Sequence, residues 1–197
     1  MSQYFNENPH ILTDERELTG TILGQPLKFL SNNGLFSCNG IDEASITLIE
    51  NMPEITGTML DLGCGYGTIG IALGKKYKIE VTFADINSIA LDYAIQNAKR
   101  NKVPIANAIH SDSFENINST FDTITLNPPI HAGKDIMYKM YKESAMHLNP
   151  GGAFYIVIQK KHGAESTIKK LKEIFTTVEI IYKKKGCFVV KSRLVSP

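Results

Sequence analysis

The sequence predicts one α/β domain, a doubly wound and mostly parallel sheet of seven strands that finishes in an antiparallel hairpin. Three observations carry this. From about Leu60 onward, short apolar runs alternate with segments of helical period, the pattern of a parallel sheet covered on both faces. A glycine-rich turn, Gly63-Cys64-Gly65-Tyr66-Gly67, stands at the first strand-to-helix junction. Near the C-terminus two apolar runs flank Lys184-Lys185-Gly186, as paired strands flank a turn.

Taken in order, residues 18–23 and 26–30 read as a small hairpin around Gly24-Gln25. A helix then starts at the capping residue Asp42 and carries Ile46, Leu48 and Ile49. Residues 1–56 are read as a lid or accessory segment and residues 57–197 as the catalytic core, the whole chain 1–197 forming one domain. In the core, residues 58–62 are a buried strand, 66–76 a helix and 80–84 the second strand. Asn87 or Ser88 caps a helix to about Asn101, with Ile89, Ala90, Tyr93, Ala94 and Asn97 on one face. Residues 106–110 and 121–126 are the next strands. Residues 134–148 are a helix stopped by Asn149-Pro150-Gly151-Gly152. A strand over 154–158, an amphipathic helix over 164–175 and the hairpin strands 178–183 and 187–194 complete the chain.

Composition narrows the function classes. A length of 197 residues, 43% of them hydrophobic, suffices to bury a substantial core. Residues 1–9 lack the basic start and apolar run of a secretory leader. No apolar stretch approaches the roughly 18 residues that cross a bilayer, so no membrane is expected. Cys38, Cys64 and Cys187 are odd in number and widely spaced, which argues against disulfides or a zinc site and for a cytoplasmic protein. His10, His110, His131, His147 and His162 form no pair with metal-ligand spacing, and no metal is expected. Neither GxSxG nor HExxH occurs, so hydrolase chemistry has no motif behind it. The net charge of +1 hides a skew: residues 1–60 sum to −6 and residues 131–197 to +8. A C-terminal excess of that size suits a polyanionic partner or a solvated lysine surface.

The glycine turn follows a strand and opens a helix, so a ligand can approach the backbone and meet unpaired N–H groups. Gly65-x-Gly67-x-x-Gly70, with Asp85 at the end of the next strand, also matches the dinucleotide fingerprint. Asp61 decides between cofactors. A carboxylate just before the first glycine repels a pyrophosphate but suits an amino-acid ammonium and a sulfonium. Asp112, in His110-Ser111-Asp112-Ser113, ends the third strand on the same carboxyl edge. It reads either as a turn cap or as an acceptor for an adenine amino group, with Ser113 beside it, and the order Asp61, Asp85, Asp112 favours the second.

Asn127-Pro128-Pro129-Ile130 follows the strand 121–126. Two prolines stiffen the loop and force Asn127 into an extended conformation. The Asn127 side-chain oxygen and the Pro128 carbonyl can then accept from one amine. An exocyclic base amine is a poor nucleophile, its lone pair being delocalised into the ring. Two acceptors favour the pyramidal form, and positioning beside a strong electrophile supplies the acceleration without a strong base.

Asp61-Leu62-Gly63-Cys64-Gly65-Tyr66-Gly67, Asp85, Asp112 and Asn127-Pro128-Pro129-Ile130 together resemble the motifs of class I, Rossmann-like S-adenosylmethionine-dependent methyltransferases. More narrowly the chain resembles the methyltransferase small domain family, which includes ribosomal RNA guanine-N2 methyltransferases. Gly34-Leu35-Phe36-Ser37 leading into Ile41-Asp42, His131, and Gln159-Lys160-Lys161-His162-Gly163-Ala164 add to the likeness. The resemblance implies that Asp61, Gly63, Gly65 and Gly67 line the methionine part of S-adenosylmethionine. It implies that Asp85 holds the ribose, Asp112 and Ser113 the adenine, and Asn127 meets both cofactor and target amine. Pro128, Pro129, Ile130, His131 and Lys160 would border the substrate, a guanine of small-subunit ribosomal RNA. The rivals are an N-methyltransferase of a protein glutamine or small amine, and a non-catalytic RNA-binding or assembly module. Lys160, Lys161 and His162 read equally as phosphate contacts or solvated residues; Lys183-Lys184-Lys185 reads either as an addition to that patch or, better, as a solvated hairpin tip.

Overall fold

The computed structural model describes residues 15–35 and 37–194. The absence of a leader in residues 1–9, His10, and Phe36 of the Gly34–Ser37 run therefore lie outside the described residues. Strands β1 (Arg16–Ile22) and β2 (Gln25–Ser31) pair antiparallel with Ile22 opposite Gln25. The hairpin turn is thus Leu23-Gly24, one residue earlier than expected, with both residues at positive φ (52° and 72°), as a two-residue hairpin of the right-handed twist requires. Helix α1 (Glu43–Asn51) follows, capped by Asp42, whose Oδ2 accepts from the Ser45 N–H at 2.7 Å.

The main sheet has seven strands in the order β5-β4-β3-β6-β7-β9-β8. The parallel set is β3 (Met59–Leu62), β4 (Val81–Asp85), β5 (Ile105–His110), β6 (Phe121–Leu126) and β7 (Leu148–Gln159). β8 (Thr177–Lys184) and β9 (Cys187–Arg193) add the antiparallel hairpin, β9 pairing with β7. Helices α2 (Thr68–Tyr77), α3 (Ser88–Arg100), α4 (Lys134–Met146) and α5 (Ala164–Ile174) make the crossovers. The chain winds outward from β3 in both directions. The crevice past the carboxyl ends of β3 and β6 is therefore the switch point where open α/β sheets bind ligands.

One sequence expectation is corrected here. Asn149-Pro150-Gly151-Gly152 lies inside β7 and is not a turn ahead of it. Leu148 pairs with Phe121, the segment bulges, and pairing resumes at Ala153 opposite Thr123. Gly151 takes φ +80°, and a Cβ on Gly152 would stand 3.0 Å from three backbone carbonyl oxygens, those of Phe121, Asp122 and Asn149. The bulge needs that close approach, and Asn149 fastens it by donating to Asp122 Oδ1 at 2.9 Å.

Alternation along β7 feeds both faces: Tyr155 and Val157 join one core, Phe154, Ile156 and Ile158 the other. The first core also takes Leu27 and Phe29 from the hairpin, Leu48 and Ile49 from α1, and Ile71 and Leu73 from α2. The second takes Met137 and Tyr141 from α4 and Leu171 from α5. Asn97, fully buried on α3, ties the hairpin to the glycine turn. Its Nδ2 donates to the Leu30 and Tyr66 carbonyls (2.9 and 3.0 Å), and its Oδ1 accepts from the Leu30 N–H (2.6 Å). A buried amide is tolerated because all its main partners are supplied. Among the described residues no helix is long and apolar enough to cross a membrane.

Candidate functional site

The glycine turn leaves β3 after Leu62 and enters α2 at Gly67. Its glycines serve two ends. At Gly65 (φ +54°) a Cβ would meet nothing within 4 Å, so this side of the turn is open to a ligand. At Gly67 (φ +93°) a Cβ would stand 2.8 Å from Ile71 Cδ1, and at Gly70 one would stand 2.6 Å from Phe83, so these two let α2 lie against α3 and the sheet.

Asp61 is 1% exposed. Its Oδ2 accepts from the Gly70 N–H at 2.8 Å and its Oδ1 from the Thr125 hydroxyl at 3.2 Å. Burial pushes its pKa up to about 7, against the pull of those two donors and with a further rise from Asp85. Two neutral donors only partly compensate a buried carboxylate, and a cation beside it would restore the charged form. Asp85, at the end of β4, joins turn to helix: Oδ2 accepts from the Gly65 N–H (2.8 Å) and Oδ1 from the Asn87 N–H (2.9 Å). Burial raises its pKa as well, opposed by the backbone donors of Asn87, Gly65 and Ile86. Each oxygen retains room for a hydroxyl donor. Between these carboxylates the Cys64 thiol is pushed up by burial and by both charges, which removes it as a thiolate nucleophile.

The Ser111 N–H donates to the Asp85 carbonyl (3.0 Å), which carries Asp112 to the same edge. Asp112 is exposed, with Lys139 Nζ 3.9 Å from its Oδ1. Ser113 is buried at φ +53°, and its hydroxyl donates to Glu143 Oε2 at 2.5 Å. Its side chain is thus committed to α4.

Asn127 stands at the carboxyl end of β6. Its Nδ2 donates to Asp42 Oδ2 at 2.8 Å and to Ser45 Oγ at 3.0 Å. A carboxylate oxygen only accepts, so Asp42 fixes which end of the amide is which. Oδ1 lies on the opposite side of the amide, and no described residue donates to it. Asn127 and Pro128 line a cleft with Ile130 and His131, faced by Asp42 and, past β7, by Gln159 and His162. Pro129 and Lys160 are not in that lining. Lys160 is exposed in the single 3-10 turn Lys160–His162 that follows β7.

The switch point thus gathers Asp61, Gly63, Gly65, Gly67, Asp85 and Asn127, with Asp112 one strand further out. Thr125, Ser45, Glu143 and Gln159 enter as partners to which the sequence assigns no role in the site. His162, which reads from sequence as a phosphate contact or a solvated residue, lines the cleft itself. Asp42 reads from sequence as a cap alone. The cap was legible locally, but its second bond, to Asn127, spans 85 positions and leaves no local signal.

Comparison with known proteins decides the family. The family model described as "Methyltransferase small domain" matches residues 26–191. The chain belongs to the methyltransferase small domain family. It is an S-adenosylmethionine-dependent methyltransferase with the Rossmann-like fold of that class. The chain is 37% identical to the uncharacterized protein YbxB of Bacillus subtilis, over 98% of both chains. It is 38% identical to ribosomal RNA small subunit methyltransferase C of Pasteurella multocida over 66% of this chain, and spans only 42% of that relative's length. Among solved structures, the T. thermophilus 16S rRNA N2 G1207 methyltransferase in complex with AdoMet and guanosine superimposes with a TM-score of 0.82 at 25% identity. That match covers 96% of this chain and 53% of the other. The small-domain match includes the glycine turn, the acidic strand ends and the Asn127 loop, the same residues whose geometry suits the cofactor.

Proposed function

We propose that this methyltransferase acts on the exocyclic N2 amine of a guanine in small-subunit ribosomal RNA, in the cytoplasm. The observation that carries the reading is the Asn127 amide, held through its nitrogen by Asp42 and Ser45 at 2.8 and 3.0 Å. Its oxygen is thereby committed to accept. Together with the Pro128 carbonyl it takes both hydrogens of one amine and favours the pyramidal nitrogen, whose lone pair then points toward the cofactor side. The ammonium and sulfonium of S-adenosylmethionine suit Asp61, and when bound the cofactor supplies a methyl group already activated for transfer. Asp61 and the turn Gly63, Gly65 and Gly67 hold its methionine end, Asp85 its ribose, and Asp112 with the backbone N–H of Ser113, whose side chain is held by Glu143, its adenine. Asn127 borders it from the acceptor side. The amine proton becomes acidic as nitrogen is alkylated and leaves to water, so no strong base is required. Pro129 stiffens the loop, Ile130 and His131 flank the base, and Lys160 meets the strand outside. The base must be unpaired or flipped to enter such a cleft. Support for small-subunit RNA comes from the name of the Pasteurella multocida relative, and support for guanine N2 from the name of the T. thermophilus enzyme.

The test is transfer of labelled methyl from S-adenosylmethionine to unmethylated small-subunit RNA and to small subunits, followed by digestion to nucleosides. Label in N2-methylguanosine is expected. Label in another nucleoside, or in ribosomal protein instead of RNA, overturns the assignment.

A further inference from the structure

Along the sequence Lys183-Lys184-Lys185 reads as a hairpin tip, but topology gives it another setting. β7 runs parallel to β6, and β9 antiparallel to β7 with Cys187 opposite Gln159. The β8–β9 turn therefore lies at the carboxyl edge of the sheet, the edge that carries Asp61, Asp85 and Asn127. There the Lys160 N–H donates to the Gly186 carbonyl at 2.7 Å, fastening the 3-10 turn Lys160–His162 to the hairpin turn. Two lysine runs far apart in sequence become one surface: Lys160, Lys161, Lys183, Lys184 and Lys185, all exposed. None of the five forms an ion pair among the described residues. Lys183 leans over the Phe188 ring, 5.2 Å from its centroid, a contact that holds the ammonium without neutralising it.

The surface abuts the acceptor cleft, because His162 of the same 3-10 turn and Gln159 before it line that cleft. The other lip is acidic, with Asp42 and Glu43 bordering the adjoining groove. A strand laid across the cleft is thus drawn with its phosphates toward the lysine lip, while base N–H donors face the acidic one.

We propose that this five-lysine surface, built by the Lys160–Gly186 hydrogen bond, is where the chain grips the phosphate backbone of the RNA strand whose guanine enters the cleft. The proposal rests on the ribosomal RNA reading above. Five neighbouring cations without acidic partners repel one another, and a polyanion relieves that repulsion while releasing its counterions.

The test compares the unaltered protein, K183Q/K184Q/K185Q, and K169Q/K172Q as a control that removes charge from α5. Each is titrated with a fluorescein-labelled small-subunit RNA transcript at several salt concentrations. KM and kcat for methyl transfer and calorimetric affinity for S-adenosylmethionine are measured alongside. If each lysine meets one phosphate, the triple variant loses about 2 to 3 from the slope of log affinity against log salt. The KM for RNA rises at least about tenfold at moderate salt. Saturated kcat, cofactor affinity and the melting temperature stay as they were, and the control matches the unaltered protein. Transfer by the unaltered protein with an unchanged slope and KM in the triple variant overturns the surface alone. Absence of any transfer to RNA by the unaltered protein overturns the substrate reading, and the surface with it.

Discussion

Replacing Asp61 by asparagine should stabilise the free protein above neutral pH while weakening its hold on the cofactor. Asp61 titrates at about 7 in the fold against 3.8 as a free side chain, with burial as the main cause. The folded chain therefore keeps a proton that the unfolded chain releases between those values, and stability falls as pH rises through that window. At about 1.4 kcal/mol per pKa unit, the ionised group costs the fold up to ~4 kcal/mol by about pH 8. An amide at this position retains the local bonds: its oxygen accepts from the Gly70 N–H, and its nitrogen donates to Thr125 Oγ1, which itself donates to the Leu60 carbonyl. Allowing for imperfect geometry, Asp61→Asn should gain roughly 2–4 kcal/mol near pH 8, or about 5–10 °C in melting temperature for a domain of this size. Near pH 5 the folded Asp61 is mostly protonated but the unfolded one has already released its proton, so the gain should be smaller by about 2–3 kcal/mol and should vanish only below about pH 4. Thermal and urea unfolding at both pH values measure this. A gain that is the same at both, or a loss at both, refutes the claim that Asp61 is an undercompensated buried carboxylate. Cofactor binding gives the mirror image. If the cofactor's cation needs ionised Asp61, affinity in the unaltered protein drops about tenfold from pH 8 to pH 6, and this dependence disappears in the variant.

Three further substitutions probe other parts of the site. Asp85→Ala removes the acceptor for the Gly65 and Asn87 N–H groups; calorimetry should show cofactor affinity reduced by at least about tenfold, with unfolding also easier. Asp42→Asn gives Asn127 a partner that can donate as well as accept, so the amide orientation is no longer enforced; kcat should fall about tenfold or more while cofactor affinity holds, and the α1 cap survives because asparagine caps well. Gly67→Ala places a Cβ 2.8 Å from Ile71 at φ +93°, and denaturant unfolding should show a loss of about 2–4 kcal/mol.

The parallel core was legible because buried strands are short apolar runs that end in or beside polar or acidic residues: the segments predicted at 58–62, 80–84 and 121–126 lie within a residue of β3, β4 and β6 at every boundary. The carboxyl-edge acids Asp61 and Asp85 were legible for the same reason, since a strand end fixes where its last side chains go. Asn149-Pro150-Gly151-Gly152 was misread because it has the composition of a turn. Its place inside β7 depends on Gly152 packing against the carbonyls of a neighbouring strand, which composition does not encode. The clamp from Asp42 and Ser45 to Asn127, and the seam between Lys160 and Gly186, are long-range hydrogen bonds between loops. Local pattern carries no trace of such contacts. That is why the sequence favours a solvated tip over a shared patch for Lys183-Lys184-Lys185, when topology in fact sets it beside the cleft.

If the Asn127 oxygen acts on the acceptor amine, single-turnover methyl transfer by Asn127→Ala, with cofactor affinity measured on the same preparation, shows it directly. The transfer rate should fall by about a hundredfold or more while the dissociation constant for S-adenosylmethionine changes by less than about threefold. A transfer rate near that of the unaltered protein, or a loss of cofactor affinity that matches the loss of rate, would contradict it.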